Sequence, residues 1–155
     1  MEACAQILAM HNAGAVPDPQ LGPLESVCYA GTRMGWEHSR ALEGRMYMYK
    51  TFDTPGGPAL VSVCFLETSL RCMTVVVTFT KGLRARHAFR PWAGMDTAIK
   101  DSRQGGDVKV PLDPATMDYY SMGFDAKQVS FLRDLHSGLD NLAVVTIPPV
   151  FNPGN

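Results

Sequence analysis

The chain has 155 residues, 46% of them apolar and 19% charged, with a formal net charge of −1. That is the size and balance of one globular domain with a core large enough to stand without metals or disulfides. A near-neutral charge argues against a general nucleic-acid binder, which is usually basic, and no apolar run reaches the roughly 18–20 residues of a membrane-spanning helix.

The first residues, Met1-Glu2-Ala3-Cys4, lack the basic start and long apolar stretch of a secretory signal. The expectation is a cytosolic protein, or a mature form restarted at Met1. Residues 1–14 read as a helical arm: Ala3, Ala5 and Ala9 are strong helix formers, Ile7, Leu8 and Met10 gather with Cys4, and Gly14 is a stop. Residues 15–24 hold Pro17, Pro19, Gly22 and Pro23 and read as an extended linker. From 25 to 149 the pattern is that of a β-rich core. Residues 26–30 are a short candidate strand. Residues 45–52 alternate and end at the turn signal Asp53-Thr54-Pro55-Gly56-Gly57-Pro58. Residues 59–66 and 71–80, rich in Val, Phe and Thr, predict a central hairpin buried on both faces. Strands are further expected over 83–90 and 107–112, with a weaker one over 119–123.

Asp125 is placed to cap a helix whose apolar face is Val129, Phe131, Leu132 and Leu135 and whose stop is Gly138. A strand over 142–147 and an irregular tail over 150–155 complete the chain. The expected fold is mainly β within the α+β class: an antiparallel β-sandwich or barrel of about six to eight strands, with an N-terminal helix and one C-terminal helix.

Four cysteines, Cys4, Cys28, Cys64 and Cys72, match no zinc spacing. An odd loop over 67–69 sets Cys64 opposite Cys72, within reach of a disulfide. A two-residue loop sends them to opposite faces. Free thiols suit a cytosolic or virion protein, and a Cys64–Cys72 bond suits a secreted or periplasmic one. No cofactor, metal or catalytic motif is present: Pro55-Gly56-Gly57-Pro58 and Gln104-Gly105-Gly106-Asp107 are hairpin turns rather than phosphate loops. Glu37-His38 reads as a surface loop, and His11 and His136 as solvated residues near helix ends.

The positive feature is charge polarity. Lys81, Arg84, Arg86, Arg90, Lys100 and Arg103 crowd the middle of the chain, while Asp113, Asp118, Asp125, Asp134 and Asp140 dominate its last third. On a strand Arg84, Arg86 and Arg90 share a face opposite Leu83, Ala85, His87 and Phe89. Together with Trp36 and Trp92, the three arginines are interface candidates, facing copies of the chain, another protein or an anionic partner. The run 122–147, read as strand, capped helix and strand, is similar to patterns in small extracytoplasmic β-rich proteins and in tube-forming virion proteins. No motif carries that resemblance, so it implies no residue role. The leading expectation is a non-enzymatic structural or assembly protein, such as a virion or other multi-subunit component. The alternatives are a disulfide-stabilised binding or inhibitor domain, and a small enzyme that brings His38 or His87 together with an acid.

Overall fold

The first fifteen residues set the pattern for the packing. Helix α1 (Ala3–Ala15) buries Ile7, Met10 and His11 completely. It is therefore part of the core and not a free arm, and His11 is not solvated. A computed structural model describes residues 2–40, 44–67, 74–79, 86–89, 97–101, 106–110 and 123–146, with side chains for those up to 79 and from 123 to 139.

Pro17 ends α1, because it has no N–H with which to continue the helix. The chain then turns at Asp18, whose carbonyl accepts from the N–H groups of Leu21 and Gly22 and whose carboxylate accepts from the Gln20 N–H. Gly22 takes a φ of 80°, and helix α2 (Pro23–Arg33) begins at once. The expected linker over 15–24 thus reduces to a turn between two helices, and the strand expected over 26–30 is helical. The local chemistry explains the correction. Pro23 presets the first helical φ, Glu25 lies at the positive end of the helix dipole and Arg33 at the negative end.

The strands that follow are β1 (Glu37–Ser39), β2 (Arg45–Thr54), β3 (Gly57–Leu66), β4 (Thr74–Phe79), β5 (Arg86–Phe89), β6 (Thr97–Asp101) and β7 (Gly106–Val110). They lie side by side in chain order, each antiparallel to the last. The described strands make one sheet, and helices form the layer packed on it. Among the described residues the architecture is mixed α+β with three helices, and a sandwich or barrel is not shown among them.

Only one face of the central strands is fully buried. Met46, Met48, Val61, Val63, Phe65, Val75 and Val77 are completely covered, while Tyr47, Tyr49, Leu60, Ser62, Cys64 and Val76 on the reverse face are half-buried. The expectation of a hairpin buried on both sides fails because the described helices lie against one side alone. Register also revises the cysteine pairing: Cys64 lies opposite Thr74 and is a free thiol. Cys72 lies outside the described residues, as do the turn at 68–70, the weak strand at 119–122 and the tail.

Helix α3 (Ala126–Thr146) covers 142–146, where a strand was expected, and continues through Gly138. Its start is a reciprocal cap: the Gln128 N–H donates to the Asp125 carboxylate at 2.9 Å and the Asp125 N–H to the Gln128 amide oxygen at 3.1 Å. His136 is fully buried within it. Gly138 is a crossing point instead of a stop, since a Cβ placed there would sit 2.8 Å from the Cys4 sulfur of α1. Gly138→Ala is therefore expected to force the two helices apart and to cost about 1–3 kcal/mol, measured by urea unfolding. Little or no loss would mean that α1 does not press on α3 at that point.

Candidate functional site

Three chain segments end beside one another. They are the first turn of α1, the end of β2 with its hairpin turn, and the second and third turns of α3. Between them lies an open cleft of about 480 Å³, lined by Glu2, Ala3, Cys4, Phe52, Asp53, Thr54, Pro55, Phe131, Asp134 and Leu135.

Each wall is held by its own local chemistry. The hairpin closes through Pro55 and Gly56 alone, with Thr54 paired to Gly57. The Thr54 hydroxyl donates to the Gly57 carbonyl at 2.7 Å and accepts the Gly56 N–H at 3.1 Å. The turn is seated on α3, where the Gln128 side-chain amide donates to the Gly56 carbonyl at 3.4 Å. A Cβ on Gly56 would lie 2.9 Å from the Gln128 nitrogen and 3.1 Å from its Cα, so only glycine lets the turn sit this close. On α3, Phe131 packs edge-on against Phe79 at 6.0 Å between ring centroids.

Below the cleft, a polar network ties α1 to the sheet. The Gln6 amide oxygen accepts from the Trp36 indole N–H at 2.7 Å and from the Lys50 ammonium at 3.1 Å. Lys50 also donates to the Met34 carbonyl at 2.6 Å and lies over the Phe52 ring. Trp36 stacks edge-on against Phe52 with centroids 5.7 Å apart.

The cleft has an apolar floor and an acidic rim. Ala3, Cys4 and Leu135 are buried and Phe52 and Phe131 half-buried, while Glu2, Asp53 and Asp134 are exposed. The start of α1 contributes about half a positive charge there. Three acidic residues line the cleft, and among the described lining residues there is no lysine, arginine or histidine.

Cys4 does not make the site a nucleophilic one. Burial, with the Glu2 charge beside it, pushes its thiol from the ordinary 9.0 up to about 11, so it stays protonated at neutral pH. Modification of native Cys4 by a thiol reagent is expected to be very slow at pH 7 and to speed up as pH approaches 11. Because the folded state holds this proton more tightly than the unfolded chain, the group's stabilising contribution is complete below pH 9 and lost as pH rises to about 11. Fast labelling of the native protein at pH 7 would contradict this. Cys64 is likewise raised by burial, with opposing effects from the Tyr47 hydrogen bond and the Arg45 charge.

The residues singled out from sequence do not gather at the cleft. Trp36 is 2% exposed, so it is a core residue and not a surface anchor, which corrects its place among the interface candidates. Arg86 pairs with Thr78 and Lys100, and His87 with Val77 and Ile99. Arg84, Arg90 and Trp92 lie outside the described residues. Glu37 and His38 are exposed on β1 and not in a loop. Among the described residues no cluster of His, Cys, Asp and Glu is arranged to hold a metal ion, and no helix is long and apolar enough to cross a membrane.

Each cleft residue has an ordinary local explanation in the sequence. Asp53 belongs to a turn, Phe131 to an apolar helix face and Asp134 to a general acidic bias. Their only shared signal is a carboxylate three positions from an aromatic on α3, which is a common helix pattern. No family model, no curated protein and no solved structure matches this chain.

Proposed function

We propose that this protein is a non-enzymatic binding module whose cleft takes a cationic group carried on an apolar body. The observation that supports the reading is the acidic rim of Glu2, Asp53 and Asp134 over the apolar floor of Ala3, Phe52, Phe131 and Leu135. An ammonium or guanidinium on a hydrophobic stem satisfies both parts: the charge meets carboxylates at the solvent edge, and the stem displaces water from aromatic surface. This is the chemistry of lysine or arginine side chains beside apolar neighbours, and it fits the contact role expected from sequence. A raised thiol pKa and a rim of one charge sign favour recognition over acid–base or nucleophilic chemistry.

The test is a calorimetric titration with 2-phenylethylammonium, against 2-phenylethanol as a neutral analogue. The amine is expected to bind in a salt-sensitive manner and at least about tenfold more tightly than the alcohol. Equal affinity for the two would remove the role of the carboxylates, and no binding of either would remove the site.

A further inference from the structure

β2 is longer than the strand that covers its outer edge. β1 pairs with residues 47–49 alone, whereas β2 continues to Thr54. Hairpin geometry determines which groups face outward beyond β1. A two-residue loop closes on a hydrogen-bonded pair, here Thr54 and Gly57. The next pair is then of the open kind, so the N–H and C=O of Asp53 point away from β3, as do those of Thr51 two residues back. Pro58, opposite Asp53, has no N–H to offer, as that parity requires. The same alternation turns Tyr49 and Tyr47 outward, where Glu37 and Ser39 of β1 take them. Thr51 and Asp53 are exposed, and no described strand pairs with their outer side.

We propose that this open edge and the cleft form one docking site for an extended basic segment of a partner protein, which adds as a short strand to β2 beyond β1. The proposal rests on the reading that the cleft takes cations. Main-chain bonds to Thr51 and Asp53 hold the segment in line, and its basic side chains meet Glu2, Asp53 and Asp134. Charge selects the occupant. An edge-to-edge pairing of two copies would bring their Asp53 carboxylates together, which opposes self-association through this edge, while a basic strand neutralises them.

The probe is an acetylated, amidated pentapeptide alternating lysine and valine, with two variants N-methylated on the lysines or on the valines. Added strands bond along one edge only, so one N-methylated variant is expected to lose at least about tenfold in affinity while the other binds like the parent. The Thr51 and Asp53 amides are expected to gain protection from hydrogen exchange when the parent peptide binds. Equal effects of the two N-methylations, or no effect of either, would overturn strand addition. If 2-phenylethylammonium still binds in that case, the cleft reading survives alone, and if it does not, both fall. Self-association of the chain that the peptide reverses would assign the edge to a second copy and overturn the partner assignment.

Discussion

Replacing Trp36 by alanine is expected to lower the unfolding free energy by about 3–5 kcal/mol. The side chain is 2% exposed and sits where the exit of α2 meets the sheet. Its removal leaves a cavity beside Phe52, which it meets edge-on, and takes away the indole donor to the buried Gln6 amide. The Gln6 oxygen keeps the Lys50 ammonium, so it is not stranded, and the loss is mainly one of packing. Trp36→Phe separates the two effects. The phenyl ring retains most of the packing and forfeits the hydrogen bond, at an expected cost of about 1–2 kcal/mol. Denaturant unfolding of both variants measures the difference. A loss below about 1 kcal/mol for the alanine variant would mean that Trp36 is not a core residue.

Reversing the rim is expected to have the largest effect on binding. With Asp53→Lys and Asp134→Lys together, the cleft exchanges two negative charges for two positive ones and leaves Glu2 as the sole carboxylate among its described lining residues. Both positions are exposed, so neither substitution disturbs the core, and stability is expected to change little. Affinity for 2-phenylethylammonium is expected to fall at least about 30-fold. Asn at either position alone, which removes one charge, is expected to weaken it about two- to fivefold. The comparison distinguishes an electrostatic site from an apolar one, because the floor of Phe52, Phe131 and Leu135 is untouched. Unchanged affinity in the doubly reversed protein would leave only the hydrophobic floor as the basis of binding.

Period-two alternation in β2, the strand character of β3 and β4, and the turn chemistry at Pro55 and Gly56 were legible in the sequence because local rules decide them. The cap at Asp125 was legible for the same reason. Where the local reading failed, a tertiary contact or an alternative use of the same residue had taken over. Gly138 reads as a stop but is a crossing point with Cys4. Pro23 reads as linker but is the first residue of α2. The loop parity of β3 and β4 left the partner of Cys64 open, and register supplied Thr74. His11 and His136 look like polar residues near helix ends, yet both are buried, because the other helices and the sheet close over them. The cleft was not legible at all. Its residues come from positions 2–4, 52–55 and 131–135, and the docking of Gly56 onto Gln128 helps bring the last two groups together. Of the acidic residues in the last third of the chain that the sequence singles out, Asp134 alone lines the cleft.

The most direct test of the cation-binding cleft is a titration of the isotopically labelled protein with 2-phenylethylammonium, followed by heteronuclear NMR. Saturable shifts are expected, concentrated at Glu2, Phe52, Asp53, Phe131 and Asp134, with the β3 and β4 core positions such as Val63 and Val75 unmoved, and with smaller shifts as salt is raised. Shifts centred elsewhere, or the same shifts produced equally by 2-phenylethanol, would contradict that expectation.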